Sequence, residues 1–316
     1  MTTQRIVMLG ATGFVGSYLV PRLAADGHRI ILLSRNRELH RTLAVLPDVS
    51  IRSADVYDDA VLRRHCDGAD TVINLIGILN AGGRHTFQRA HVEIARRLID
   101  ICKTTGVKRL HQMSSLKAGQ GQSQYLKTRG EAETLVKTSP LKWTIYEPSV
   151  IFGPGDGLVT RFAGLLRKMP ALPLARASSR MAPTYVGDVA EAIARCVADD
   201  KLSSRRSFEL YGPEVLTLGD IVHAIRDAAG SRTPIIPLPD SLGRLQALVA
   251  GMLPGKPFSL DNFLSLGTDS VGSVNGYAAL NIVPQPFMAS LPHVLRGMPR
   301  QHRLDLARQA FRHRGA

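Results

Sequence analysis

Residues 115–129 contain three side chains that together could transfer a proton to a bound substrate. Tyr125 opens a stretch with helical spacing, and Arg129 follows one turn later, so their side chains share a face. Ser115 lies at the end of a predicted strand and approaches the same pocket. A phenol passes protons at neutral pH only when nearby positive charge favours its ionised form, and Arg129 supplies that charge. The spacing therefore predicts an acid/base site that includes Ser115, Tyr125 and Arg129.

A glycine-rich turn near the N-terminus has the spacing of a phosphate-binding loop. An apolar run over residues 6–9 leads into three glycines, after which apolar residues recur at helical spacing. Gly10 permits a tight turn, Gly13 lets a pyrophosphate approach the backbone, and Gly16 lets the following helix pack closely on the strand. The helix N-terminus offers unpaired N–H groups and partial positive charge. A merely structural turn is the alternative, but the context favours a dinucleotide site contacted by Gly10, Thr12, Gly13, Phe14, Val15 and Gly16.

The end of the second predicted strand, residues 29–33, indicates which dinucleotide binds. A carboxylate about 20 residues beyond the glycines would hold the ribose 2′-hydroxyl of NAD(H). This chain instead has Ser34, Arg35 and Arg37 there, and Arg35 can grip a 2′-phosphate through forked hydrogen bonds. We therefore expect NADP(H), with NAD(H) as the less favoured cofactor. The alternative is that both arginines are solvated on a loop.

Further cofactor contacts are expected where the other strands end, because ligands of a doubly wound sheet bind at the carboxyl ends of its strands. Asp55 could accept a hydrogen bond from the adenine amino group, or it could equally cap the helix that follows. Gly77 would leave room beneath the ribose. The remaining expected contacts with the cofactor are Val56, Leu75, Ile76, Met113 and Ser114.

Strands and helices alternate along the chain, which specifies parallel pairing with right-handed crossovers. The expected fold class is α/β, a doubly wound parallel Rossmann sheet with a smaller C-terminal α+β lobe. A helix over about 85–105 and a strand over 109–113 precede the predicted acid/base residues. The expected division is a nucleotide-binding core over 1–157, a region that completes the core and adds a substrate lobe over 158–295, and a basic tail over 296–316.

The 316-residue chain carries a formal net charge of +14, which favours anionic partners such as NADP(H) or an acidic lipid surface. Nucleic acid is not expected, since we find no nucleic-acid-binding motif and aromatic residues make up only 5% of the chain. The three cysteines are widely spaced, so neither a disulfide framework nor a metal site is expected. The absence of a signal peptide and of an apolar run of about 20 residues predicts a cytoplasmic protein.

The C-terminal third contains two segments that could meet an apolar partner. The apolar residues between 242 and 253 predict a helix that is too short to cross a membrane. Residues 296–316 contain six arginines against one acidic residue, and a helix there would place apolar residues on one stripe. Such a helix could lie peripherally on the anionic inner membrane surface, and the alternative is a solvated or disordered tail.

Several segments together resemble the short-chain dehydrogenase/reductase superfamily, more narrowly its extended and atypical NAD-dependent epimerase/dehydratase branch. The resemblance covers about residues 5 to 235. The short spacing from serine to tyrosine and the sequence EPSVIFGPGD are similar to the group that contains the NADPH-binding accessory subunit of respiratory complex I, its bacterial relatives and members tied to ubiquinone biosynthesis. The likeness is carried by GATGFVG, Asp55-Val56, Asn74 to Gly77, Ser114-Ser115, the Tyr125 helix, Glu147 to Asp156 and Val186 to Ala190.

The resemblance implies roles for the predicted acid/base residues. Ser115 would orient a substrate carbonyl or hydroxyl, and Tyr125 would exchange a proton with it. Arg129 stands where the superfamily has lysine. It keeps the positive charge, but it cannot release a proton into a relay and its planar head fits differently. Pro148 and Val150 would form a wall beside the nicotinamide.

The resemblance implies an NADP(H)-dependent oxidoreductase or epimerase-like enzyme that acts on a small hydrophobic or quinone-related molecule. The alternative is a non-catalytic scaffold, stabilised by NADP, that serves complex I assembly or ubiquinone biosynthesis at the membrane surface. A regulator that reads the NADP/NADPH ratio is a third hypothesis, which no particular residue indicates.

Overall fold

The computed structural model describes residues 2–253 and 258–296, except for the side chains of Arg37, Leu39 and Arg41. Its strands are β1 (Arg5–Leu9), β2 (Arg29–Ser34), β3 (Val49–Ser53), β4 (Thr71–Asn74), β5 (Arg109–Met113), β6 (Lys142–Pro148), β7 (Ile151–Phe152), β8 (Leu172–Ala175), β9 (Arg180–Met181), β10 (Thr184–Tyr185), β11 (Arg206–Leu210), β12 (Leu216–Thr217) and β13 (Ile235–Leu238).

The helices alternate with these strands over most of the described chain. They are α1 (Phe14–Ala25), a 3₁₀-helix (Arg37–His40), α2 (Arg41–Ala44), α3 (Asp59–Cys66), a π-helix (Gln88–Glu93), α4 (Ile94–Thr105), α5 (Gln124–Lys137), α6 (Val159–Lys168), α7 (Val186–Ala198), α8 (Asp200–Ser203), α9 (Leu218–Ala228), α10 (Asp240–Met252), α11 (Leu260–Ser265), α12 (Gly276–Ala279) and α13 (Phe287–Arg296). None of the helices within the described ranges is long and apolar enough to span a bilayer.

Seven strands of the described chain form one parallel sheet in the order β11-β6-β5-β4-β1-β2-β3. The strand order reverses where β1 lies between β2 and β4, and ligands of open α/β sheets bind in the crevice at that point. The predicted doubly wound Rossmann fold is confirmed. The sheet takes its last strand, β11, from residues 206–210, so chain beyond residue 157 completes the core.

Apolar strands buried on both faces explain why the sheet forms. Residues 6–9 of β1 are fully buried, as expected for a parallel strand covered by helices on both sides. α1 and α7 pack on one face of the sheet, and α3, α4 and α5 pack on the other. The C-terminal lobe has its own apolar core, in which Phe152 and Phe287 meet edge to face with ring centroids 4.9 Å apart.

The predicted elements around the acid/base segment agree with the structure except at one helix start. β5 has the predicted bounds, and α5 begins at Gln124, one residue before the predicted Tyr125. The helix predicted to begin at about residue 85 starts later, because His85 pairs with Gly82 in an isolated β-bridge. The π-helix then precedes α4. Such wide turns are rare, occur frequently at functional sites, and leave no simple signal in apolar periodicity.

Candidate active site

The glycine turn brings three backbone segments together at the carboxyl end of β1. Gly10 has a φ of 71°, and a Cβ there would lie 2.8 Å from the backbone nitrogen of Ile76. A Cβ at Gly16 would collide with the backbone of Ala11, so α1 packs directly on the turn. The predicted reasons for glycine at these two positions therefore match the geometry.

The N-terminus of α1 is suited to an anionic ligand. Gly13 is its N-cap, no side chain of the described residues caps it, and its first turn contains no acidic residue. The unpaired N–H groups at this end and the helix dipole favour negative charge. Thr12, Phe14 and Val15 are half-buried around the turn. The turn therefore fits a dinucleotide pyrophosphate.

A positively charged rim lies at the carboxyl end of β2. Arg35 is exposed, and its Nη1 atom lies 3.5 Å from Nε2 of His85. Ser34 is buried and its hydroxyl accepts a hydrogen bond from the backbone of Asn36. The side chain of Arg37 lies outside the described residues. His85 was not identified from the sequence, because it comes to this rim from a loop 50 residues away.

The two interpretations of Asp55 are separated by hydrogen bonds at the start of α3. The N-cap is Asp58, whose carboxylate accepts from the backbones of Ala60 and Val61. Asp55 instead accepts from the backbone N–H of Tyr57. The cap interpretation of Asp55 is therefore wrong, and the contact with adenine stays a prediction. Val56 beside it is half-buried.

Arg129 lies where β4 and β5 end, and only 5% of its surface is exposed. Its Nη1 atom donates to the carbonyl oxygen of Met113 at 2.8 Å and lies 3.4 Å from that of Ile76. Its Nη2 atom lies where a Cβ of residue 77 would be, so the guanidinium fills the space above Gly77. Gly77 itself remains exposed, and the expectation that it leaves room beneath the ribose stays a prediction.

The proposed proton donor lies in an aromatic surrounding. The half-buried ring of Tyr125 has its centroid 6.0 Å from that of Phe87 and 5.5 Å from that of His91, both edge to face. Cζ of Arg129 lies 5.5 Å from the ring centroid of Tyr125, as the shared helix face predicted. Ser115 is buried, and its hydroxyl has no hydrogen-bond partner among the described residues. A buried hydroxyl without a partner is costly, which suggests that a ligand satisfies it.

His91 is a fully buried neighbour of Tyr125 that no sequence pattern singled out. Its Nδ1 atom lies 2.9 Å from the hydroxyl oxygen of Thr128, which itself donates to the backbone carbonyl of Gln124. Nδ1 must therefore carry the proton and donate it. Burial, reinforced by the charge of Arg129, lowers the pKa of His91 to about 2, so the ring is neutral. Its Nε2 atom is an acceptor that nothing in the described chain satisfies.

The remaining predicted contacts occur around the ends of β5 and β6. Ser114 is buried, and its hydroxyl is already committed to the carboxylate of Glu133, to which it donates at 2.6 Å. Pro148 is buried and its carbonyl accepts from the backbone of Leu116, which fixes the loop after Ser115. Val150 is half-buried at the start of the C-terminal lobe, and Leu75 is half-buried beyond β4.

The C-terminal lobe holds the start of the helix that carries Tyr125. The carboxylate of Asp261 accepts from the backbone N–H groups of Gln124 at 2.6 Å and of Tyr125 at 3.2 Å. Ser123 caps the same helix through the backbone of Leu126. Asp261 was not identified from the sequence because 136 residues separate it from Tyr125.

The fold and this site define a Rossmann-type nucleotide-binding protein with the arrangement of a short-chain dehydrogenase/reductase. A sequence model described as NAD(P)H-binding matches residues 10–200, and the chain belongs to that family.

The proteins that are similar to this chain in sequence have been given different functions in their names. The chain is 29% identical over 310 residues to subunit 9 of the NADH dehydrogenase (ubiquinone) 1 alpha subcomplex of Arabidopsis thaliana, covering 92% of this chain and 75% of the relative. It is 29% identical to a ceramide reductase of Caulobacter vibrioides, covering 81% and 79%. Among solved structures, an NADPH-dependent quinone oxidoreductase from Escherichia coli, complexed with NADPH, has a TM-score of 0.74 at 19% identity, covering 92% and 99%. The last similarity concerns the fold alone.

Proposed function

We propose that this protein is an NADP(H)-dependent oxidoreductase or epimerase-like enzyme that acts on a carbonyl or hydroxyl of a hydrophobic or quinone-related molecule. The observation that carries the proposal is the buried, unpartnered hydroxyl of Ser115 in the loop that leads to α5, combined with the phenol of Tyr125 in an apolar aromatic surrounding. The relative named as a ceramide reductase adds support.

The three residues of the candidate site have separate tasks in this proposal. NADPH, when bound, supplies a hydride to the substrate. Ser115 donates a hydrogen bond to the substrate oxygen and orients it, and Tyr125 transfers its proton to that oxygen. Arg129 positions the ring of Tyr125, since its guanidinium Cζ lies 5.5 Å from the ring centroid and is itself held by the carbonyl of Met113. Tyr125 then regains a proton from water.

The proposed preference for NADP(H) over NAD(H) rests on the rim at the end of β2. Arg35 and His85 both present nitrogen atoms to solvent there, and neither side chain forms an ion pair with a carboxylate in the described part of the chain. A 2′-phosphate would provide the acceptor that these nitrogens lack. Ser34 contributes little to this rim because its hydroxyl is already bonded to Asn36.

The test of the enzymatic proposal is Tyr125→Phe, assayed as NADPH oxidation with a panel of hydrophobic carbonyl compounds and quinones. We expect turnover to fall about 100-fold or more, because general acid catalysis commonly contributes that much. The affinity for NADPH, measured by calorimetry, should stay within about twofold. Tyr211→Phe removes another half-buried phenol, which follows β11 and has no ring contact with Tyr125 in the described chain, and it should leave turnover unchanged. Unchanged turnover in Tyr125→Phe would remove the assignment.

A non-catalytic scaffold is the second candidate, and Arg129 is the residue that favours it. Its guanidinium is committed to the carbonyl groups of Met113 and Ile76, which braces the ends of β4 and β5. The relative from Arabidopsis thaliana is named as a respiratory complex subunit. In this case NADPH would stabilise the fold by mass action. Raised thermal stability with NADPH, together with no hydride transfer to any compound of the panel, would favour the scaffold.

A further inference from the structure

A mostly apolar cavity of about 300 Å³ lies between α10, α11 and the loop after β4. Ser259 and Asp261 are its polar lining residues, and both use their side-chain oxygens elsewhere. The hydroxyl of Ser259 accepts from the backbone of Asn262, and the carboxylate of Asp261 holds the start of α5. The rest of the lining consists of Ala81, Phe87, Ala247, Leu248, Gly251, Met252 and Leu260. The cavity therefore suits the apolar part of a ligand.

Two residues that line the cavity also contact Tyr125 in the candidate active site. Phe87 lines the cavity, and its ring also contacts the ring of Tyr125 edge to face. Asp261 lines the cavity and accepts from the backbone N–H of Tyr125. A molecule that presents an oxygen to Tyr125 can thus extend its other end past Phe87 into the cavity.

The helix that forms the outer wall has the reverse of the usual burial pattern. α10 buries its small residues Gly243 and Ala247 against β8 and Phe263. Its large apolar residues face outward, with exposed fractions from 44% to 83% at Leu242, Leu245, Leu248, Val249 and Met252. Amphipathic helices normally bury such residues. The last two helical turns of this apolar face also border the cavity, through Leu248 and Met252.

We propose that this cavity binds an apolar chain of the substrate, so that the substrate is an amphiphile with a carbonyl or hydroxyl head at Tyr125 and a hydrocarbon tail between α10 and α11. This inference rests on the proposed function and adds the class of substrate. The volume holds roughly ten groups of the size of a methylene or a water molecule. The apolar face of α10 borders the cavity through Leu248 and Met252, so a tail that extends beyond the cavity meets further apolar side chains.

The test uses a homologous series of 2-alkyl-1,4-benzoquinones with methyl, hexyl and decyl side chains. Each compound is titrated by calorimetry into the full-length protein saturated with NADP⁺, so that no hydride is transferred. We expect affinity to rise along the series by up to roughly fourfold for each methylene that enters the cavity. Equal affinities across the series would overturn the proposal.

Gly251→Leu is the blocking variant. A Cβ at Gly251 has its nearest neighbours at 3.8 Å, so the position tolerates a side chain, and leucine favours the helix more than glycine does. The decyl compound should bind at least about tenfold more weakly than to the unaltered protein, while the methyl compound is unaffected. Leu248→Asn should act in the same direction by placing an amide in the cavity. Wild-type binding of the decyl compound by both variants would contradict the proposal.

Gly164→Leu is the matched control, because it makes the same change in α6, where a Cβ meets nothing within 4 Å. It should leave the whole series unchanged. Affinity for NADP⁺ is measured for each variant and should not change. If the unaltered protein binds no nucleotide, the proposed function fails. The titrations are then repeated without nucleotide. An affinity that rises with chain length would still support binding of the alkyl chain in the cavity, and equal affinities would overturn it.

Discussion

Arg35 is the single residue on which the choice of cofactor depends. It has no acidic partner in the described chain and lies beside His85 at the carboxyl end of β2. Arg35→Ala should weaken NADPH binding about 10-fold to 100-fold, because hydrogen bonds to charged groups contribute about 1.5–3 kcal/mol. NADH binding should barely change. Both affinities can be measured by calorimetry at fixed salt concentration.

Arg63→Ala is the control for this prediction, since it removes one positive charge from an exposed position on α3. It should leave both affinities within about twofold. Equal loss of NADPH affinity in the two variants would mean that net charge, and not a contact at residue 35, determines the preference.

Glu147 gives the stability of the fold a dependence on pH. Burial, and then the nearby carboxylate of Glu133, raise the pKa of Glu147 to about 7, although Lys137 lies 3.8 Å away. Between about pH 4.5 and 7 the folded protein holds a proton that the unfolded chain has released, so stability falls as pH rises through this window. Glu147→Gln should flatten this fall, with a relative gain of about 1–3 kcal/mol at pH 8.

Urea unfolding at pH 5 and pH 8 measures this effect. Glu131→Gln serves as control, because Glu131 lies on the exposed side of α5 and should not alter the difference between the two pH values. If Glu147→Gln shows the same loss of stability between pH 5 and pH 8 as the unaltered protein, the carboxyl of Glu147 is not the group responsible.

At the scale of elements, the position of α5 depends on α11. Two backbone N–H groups at the start of α5 donate to the carboxylate of Asp261. An asparagine offers one oxygen and no charge, so Asp261→Asn should lower the free energy of unfolding by about 1 kcal/mol, a typical loss for a helix cap. Turnover should fall as Tyr125 is held less firmly, while NADPH affinity stays within about twofold.

Asp269→Asn is the matched change, since the carboxylate of Asp269 also accepts from a backbone N–H, that of Arg180, which is not part of α5. Its turnover should equal that of the unaltered protein. An equal fall in turnover for the two variants would show that Asp261 acts through general stability and not through the position of α5.

At the scale of the whole molecule, the net charge of +14 sets the partners that the surface attracts. We propose that the segment 297–316, which lies outside the described residues, contributes to peripheral binding of anionic membranes. Its deletion removes five arginines and one aspartate. Sedimentation with vesicles containing phosphatidylserine should show weaker binding after deletion, since each basic residue near such a surface contributes about 1 kcal/mol.

Vesicles of phosphatidylcholine alone provide the control, and neither form should bind them strongly. Equal binding of the full-length and shortened proteins to the anionic vesicles would contradict a role for this segment. In that case the exposed apolar face of α10 would be the surface to test next.

Local rules of the chain determined the fold and the nucleotide turn. The glycines at 10 and 16 could be interpreted from sequence because their conformation and packing depend on neighbours a few residues away. The bounds of β5 were likewise predictable, since strand patterns are local. The family follows from the same segments.

Tertiary structure alone decided which side chains surround Tyr125 and which groups the predicted site residues contact. His91, Phe87 and Asp261 come to it from distant segments, and no spacing in the sequence records such contacts. The sequence placed Arg129 on the correct helix face, but only packing determined that its long planar head would fill the space above Gly77. The apolar residues between 242 and 253 likewise predicted a helix, whereas the neighbours of α10 decided that most of these residues would lie outward. A side chain's partners depend on the whole fold, because burial is set by everything that packs around it.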